Sequence, residues 1–283
     1  GPYHGNDRKQ KSGEAAMRKM NKLSVIYLAL VFIILYAPIL YLMYYSFNSG
    51  GSMHSFEGFT FEWYEEVFHD TRLFIILLNT LVIALLSSAI STIIGVAGAL
   101  AITRVRGKRA REALLTLNNV MIVSPDVIIG ASFLILLTMI GINLGFASVL
   151  ISHIAFSVPI VVLMVLPKLE EMSPTLIDAA RDLGASRRDV LTKVVIPYIS
   201  PGIFAGFFMA LTYSLDDFAV TFFVTGGGFT TLSVEIYSLA RRGISLTINA
   251  LSTLIFLVTL LLVIGYYIIS KQGARLNGAE ARE

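Results

Sequence analysis

The chain has 283 residues, 55% of them hydrophobic and only 14% charged, with a net charge of +3. A water-soluble domain carries about a quarter charged residues, so this composition excludes a soluble globular protein and predicts an integral membrane protein. The net charge is too small to suggest a nucleic-acid partner, and none is expected, while the absence of cysteine excludes disulfides and thiolate metal sites.

A bilayer-crossing helix needs ~20 mostly apolar residues. Six segments meet that length: Leu23–Phe47, Leu73–Thr103, Ala113–Ile140, Phe146–Leu166, Tyr198–Thr225 and Leu246–Ser270. Gly1-Pro2 resembles a protease-cleavage scar, and the first apolar stretch lacks an Ala-x-Ala-like cleavage site, so it is read as a retained helix. Pro125 interrupts the third span and Pro159 the fourth, breaks that are tolerated where neighbouring helices cover the freed backbone groups. The expected class is all-α, a polytopic bundle of six transmembrane helices. Residues 1–22 form a tail, 23–270 the membrane domain with a loop at 167–197, and 271–283 a second tail.

With the N-terminus inside, the inner segments carry nineteen of the 22 Lys and Arg residues, and the outer ones only Arg72, Arg241 and Arg242. The positive-inside bias therefore predicts that both termini are cytoplasmic. The first outer loop is acidic and aromatic (Phe59, Phe61, Glu62, Trp63, Tyr64) and is expected to form a short helix at the lipid headgroups. Gly95 with Gly98, and Gly202 with Gly206, are spaced for close helix packing.

The inner segment Pro167–Pro197 is dense in helix punctuation. Ser173 is a candidate N-cap with Pro174 at the first helical position, and Gly184 fits a left-handed C-terminal stop. Ser186 and Asp189 resemble a capping box opening a second short helix. Leu176, Ile177, Ala180 and Leu183 form an apolar stripe, and an apolar stripe on a solvated helix calls for a partner.

Three carboxylates fall inside spans: Asp126, Asp216 and Asp217. Each ionised one costs ~2.5–3.5 kcal/mol at the bilayer centre, so such residues usually face a polar path. Successive helical positions differ by ~100°, so Asp216 and Asp217 are not expected to face one pore direction equally. Tyr213 lies three residues before Asp216, placed for cation–π contact with an amine. Together these point to a cationic substrate. His153 is read as a packed, hydrogen-bonded histidine, and no transition-metal site is expected.

The pattern Asp178-Ala179-Ala180, Gly184, Val194-Val195-Ile196-Pro197 resembles the EAA loop of ABC-importer permeases, whose family form is Glu-Ala-Ala, Gly, Ile-x-Leu-Pro. Ser124-Pro125-Asp126-Val127-Ile128, Ser214-Leu215-Asp216-Asp217-Phe218, Phe223-Val224-Thr225-Gly226 and Glu235-Ile236-Tyr237-Ser238 are similar to the spermidine/putrescine permeases of that family. The resemblance implies a type I (MetI-like) importer fold in a bacterial inner membrane. It makes the helix carrying Asp178, Ala179, Ala180, Leu183 and Gly184 the coupling helix, and places Asp216 and Asp217 on a polyamine path. It makes Thr231–Ile244 an outer loop that touches a binding protein.

It also implies partners: a second, PotB-like permease, two copies of a PotA-like ATPase that bind ATP and Mg, and an external PotD-like polyamine-binding protein. The chain contains no G-x-x-x-x-G-K-[ST] and is expected to be no enzyme and to hold no cofactor. The alternatives are an ABC permease for another substrate and a proton-coupled secondary transporter.

Overall fold

A computed structural model describes residues 22–242, 246–257 and 260–261. The expected tail at 1–22 apart from its last residue, the expected tail at 271–283, and the end of the sixth expected span lie outside the described residues. Two compact units can be told apart, one formed by residues 70–242 and the other by the segments on either side of it. The described residues form helices and no extended strand.

In the flanking unit, α1 (Lys22–Tyr45) is almost wholly apolar beyond its first turn and suited to lipid on every face there. The following turn is organised by Asn48. Its amide oxygen accepts from the Gly50 and Glu57 N–H groups, and its amide nitrogen donates to the Ser52 and Ser55 carbonyls at 2.8 Å. The Trp63 indole donates to the Asn48 carbonyl at 2.8 Å, and Phe47 stacks on Phe59 with ring centres 5.2 Å apart. The short helix expected in this loop is α2 (Glu62–His69). The Thr247 hydroxyl donates to Glu66 at 2.8 Å, joining α2 to α11 (Leu246–Leu257).

The central unit is built on three long helices: α3 (Thr71–Arg104), α6 (Phe146–Glu171) and α8 (Arg187–Asp216). α3 opens on Asp70, whose carboxylate accepts from the Arg72 and Leu73 N–H groups. α3 and α6 run in the same direction and α8 runs against both, because Ser87 meets Ser214, Gly206 meets Val161, and Gly202 meets Lys168. The small residues act at the crossings. A Cβ on Gly95 would lie 2.6 Å from Val161 Cβ, and one on Gly202 would lie 3.0 Å from the Met164 carbonyl. Close backbone approach of this kind replaces the hydrophobic drive that is absent between helices in lipid.

Two expected spans are corrected. The segment expected as one span at Ala113–Ile140 is a bent pair, α4 (Lys108–Val123) and α5 (Asp126–Met139), meeting at 104°. Ser124, preceding Pro125, is driven to an extended conformation (ψ 139°), and that ends α4. The segment expected as one span at Tyr198–Thr225 starts earlier and stops sooner. The second short helix expected after Gly184 is continuous with α8 through a π turn at Val190–Val195. Pro197 lacks an N–H and its ring crowds the carbonyl four residues back, so a widened turn just upstream relieves the ladder. α8 then ends at Asp216, and a separate six-residue helix, α9 (Ala219–Val224), follows. Four helices among the described residues are long and apolar enough to cross a membrane, or five with the bent pair counted as one.

α9 packs on α5 where Gly130 leaves room, since a Cβ there would lie 2.8 Å from the Phe223 ring. α10 (Leu232–Arg242) completes the unit.

Candidate functional site

At one end of the central unit stands α7 (Pro174–Asp182). Gly184 has φ +83°, a left-handed conformation that L side chains resist. Its N–H donates to the Arg181 carbonyl at 2.9 Å and the Ala185 N–H to the Ala180 carbonyl at 3.0 Å, the paired bonds of a Schellman stop. No cap bond to the backbone comes from Ser173, whose hydroxyl meets that of Thr175 at 2.6 Å. Ser186 does cap the next helix, accepting from the Asp189 N–H at 3.2 Å.

The apolar stripe divides. Ile177 and Ala180 pack against the bundle core, whereas Leu176, Ala179 and Leu183 face outward, Leu183 being 90% exposed. The outward face also carries Asp178, which lies 3.9 Å from Arg181.

The intramembrane carboxylates lie at the opposite end of α8. Asp216 is the last residue of α8 and lies on the chain's surface. Asp217 is extended (ψ 121°), so its side chain leaves the backbone on the other side from that of Asp216. Its carboxylate is 5% exposed and caps α9, accepting from the Thr221 N–H at 2.8 Å, the Thr221 hydroxyl at 2.7 Å and the Val220 N–H at 3.3 Å. The two adjacent carboxylates thus have different environments.

Asp126 is the first residue of α5, where the exposed N–H groups and helix dipole favour a negative charge. The Tyr213 hydroxyl donates to it at 3.4 Å. The Tyr213 ring packs edge-on against Phe156, with centres 5.5 Å apart. The structure therefore brings Tyr213 and Asp126 together at the elbow of the bent pair, with Asp216 one turn further along α8 from Tyr213. No ion pair among the described residues involves Asp126 or Asp216.

His153 is fully buried, with Nδ1 2.7 Å from the Ser214 hydroxyl and Nε2 2.8 Å from that of Thr221. Sequence reasoning does not identify these partners, although Ser214, Asp217 and Thr221 recur at helical spacing. A second contact that sequence reasoning misses is Arg72 with Glu235, 2.7 Å apart, the glutamate buried on α10. No group of His, Cys, Asp and Glu suited to a metal ion occurs among the described residues.

A bundle of long apolar helices, broken beside intramembrane carboxylates and carrying an outward-facing helical hook, is the architecture of a membrane transport subunit. Residues 91–274 match the family described as binding-protein-dependent transport system inner membrane component, and the chain belongs to that family. It is 34% identical over 256 residues to the spermidine/putrescine transport system permease protein PotC of Escherichia coli K12, covering 90% of this chain and 97% of that one. It is 32% identical over 237 residues to the putrescine transport system permease protein PotI of the same organism, covering 82% and 84%. Among solved structures, a bacterial ABC transporter that imports the acidic polysaccharide alginate aligns with TM-score 0.66 at 17% identity, over 96% of this chain and 99% of that one. An inward-facing MetNI methionine ABC transporter aligns with TM-score 0.56 at 18% identity, over 70% and 95%. These two similarities establish the importer fold; alginate and methionine belong to those proteins.

Proposed function

We propose that this chain is one of two permease subunits of an ATP-driven bacterial importer that carries polyamines, spermidine or putrescine, across the inner membrane. The observation that carries the proposal is the pairing of Asp126 with Tyr213, beside a surface-facing Asp216. Among the described residues, neither Asp126 nor Asp216 has a cationic side-chain partner. Carboxylates without a counter-ion are costly within a membrane, and a multivalent amine offsets that cost as it passes. Tyr213 adds a ring face for an aliphatic ammonium. The relationship to PotC and PotI supports the same substrate class.

ATP and Mg belong to partner subunits, since the chain has no phosphate-binding loop. The outward face of α7, with Leu176, Ala179 and Leu183, is the surface a PotA-like ATPase dimer grips from the cytoplasm, with both termini on that side. A PotB-like permease completes the pathway, and a PotD-like binding protein delivers the amine at the α10 end. Closure of the ATPases on ATP moves α7, the bundle opens outward, and the amine passes to Asp216 and Asp126. Hydrolysis returns the inward-open state, and the substrate itself is not chemically altered.

The test is uptake into vesicles holding the four-component complex. Spermidine should accumulate only with ATP inside the ATPase-facing compartment, and Asp126→Asn with Asp216→Asn should reduce accumulation by at least tenfold. Normal uptake by that double variant removes the substrate assignment. Accumulation by vesicles holding this chain alone removes the ATP-driven mechanism.

A further inference from the structure

Asp216 lies on the surface while the residue after it is held inward, and what holds Asp217 is a buried polar chain whose hydrogens can be assigned. The Asp217 carboxylate only accepts, so the Thr221 hydroxyl, 2.7 Å away, must donate to it. The Thr221 oxygen is then an acceptor for the ring nitrogen 2.8 Å away, so His153 carries a hydrogen on Nε2. That same nitrogen lies 3.5 Å from Asp217 Oδ2. On the other side of the ring, Nδ1 meets the Ser214 hydroxyl at 2.7 Å, and Ser214 meets Ser87 of α3 at 3.0 Å. One imidazole therefore links α3, α6, α8 and α9 at the point where α8 stops.

We infer that His153 is a positioning residue for the pathway: through Thr221 it anchors Asp217 as the cap of α9, and so fixes the break that leaves Asp216 at an open helix end. This rests on the reading of Asp216 as a pathway carboxylate. His153 and Asp217 are both buried, and the Thr221 hydroxyl, held by the imidazole N–H so that it donates to the carboxylate, helps make burial of Asp217 tolerable. Without that donor the Thr221 hydroxyl loses its fixed orientation and the Asp217 side chain is released from the interior. The extended residue is then free to rejoin α8, and the following turn covers position 216.

Two readouts test this in the assembled complex. Thr221→Val keeps the volume and removes the hydroxyl between ring and carboxylate; His153→Phe removes the donor altogether; His153→Gln restores a donor and an acceptor at the ring positions. Thr221→Val and His153→Phe should raise the KM for spermidine on the order of tenfold, the scale of one orphaned buried partner, while maximal rate per assembled complex changes far less. His153→Gln should recover most of the wild-type KM. A general packing defect lowers the amount of complex and leaves KM in place.

The second readout does not need the substrate. The chain has no cysteine, so D216C gives this chain its single thiol, and its labelling on this chain by a small water-soluble thiosulfonate should slow at least threefold when Thr221→Val is added. An unchanged KM together with an unchanged labelling rate in Thr221→Val overturns the inference, even if His153→Phe fails to assemble. If the parent complex takes up no spermidine, the polyamine reading falls and the labelling comparison alone decides the role of His153.

Discussion

The Tyr213 hydroxyl of α8 donates to Asp126, the first residue of α5, across 3.4 Å, tying the elbow of the bent pair to the long helix that ends at Asp216. Two functions of Tyr213 are separable there. Tyr213→Phe keeps the ring and loses the bond, and should lower uptake about two- to fivefold, the scale of ~0.5–1 kcal/mol for a single hydrogen bond. Tyr213→Ala also removes the ring face and should lower uptake by a further factor of about two to thirty, given ~0.5–2 kcal/mol for a cation–π contact. Initial rates at subsaturating spermidine measure both, and equal losses for the two variants would assign the effect to the hydroxyl alone.

Gly95 and Gly98 share one helix and one motif but not one environment. A methyl on Gly95 would meet Val161 Cβ at 2.6 Å, whereas one on Gly98 meets only Val162 Cγ2 at 3.5 Å. Gly95→Ala should therefore destabilise the bundle by roughly 1–3 kcal/mol through overpacking, and Gly98→Ala should be tolerated. Thermal unfolding of the detergent-solubilised protein distinguishes them; equal midpoints would refute the close crossing of α3 and α6 at Gly95.

Ala180 and Leu183 are both in the loop that resembles the EAA motif, yet one packs inward and the other is 90% exposed. Leu183→Glu should leave the chain's stability unchanged and abolish ATP-dependent uptake. Ala180→Arg should reduce stability as well, because its side chain has to displace core contacts. Measuring the unfolding midpoint and uptake on the same preparations separates the two effects. Leu183→Glu with full uptake would remove that residue from the ATPase contact.

Gly184, at φ +83°, has nothing within 4 Å of an added Cβ, so the constraint is conformational and not spatial. Gly184→Ala should cost ~1–2 kcal/mol, the penalty of a left-handed residue, and loosen the end of α7. The expected result is ATP hydrolysis by the complex that is no longer matched by uptake; a normal ratio of uptake to hydrolysis contradicts it.

Glu235 is buried and Arg72, its partner at 2.7 Å, is half exposed. Arg72→Ala leaves a buried carboxylate without its cation and should cost about 1–3 kcal/mol. Arg72→Ala with Glu235→Gln should recover much of that loss, because the stranded charge is gone. A double variant no more stable than Arg72→Ala would show that the charge is not what matters.

Membrane residence, helical class and the α7 hook are legible in the sequence because they depend on local properties: runs of apolar residues, basic loops, and the Pro174 and Gly184 punctuation of one short helix. Breaks at Pro125 and beyond Asp216 are harder to read. Pro125 and the Asp216-Asp217 pair mark both places in the sequence, but the 104° angle of the elbow and the stop of α8 do not follow from them, because the end of α8 depends on a carboxylate turning back to cap α9.

From the order of residues alone it follows that intramembrane carboxylates exist and that Asp216 and Asp217 diverge in direction, since adjacent backbone positions cannot share a face. Which of the two is buried is settled in the folded bundle. That choice is made by His153, Ser214 and Thr221, brought together across 61 and 68 residues of chain. A buried charge goes where several helices supply its hydrogen bonds, and no single segment of the chain contains that information.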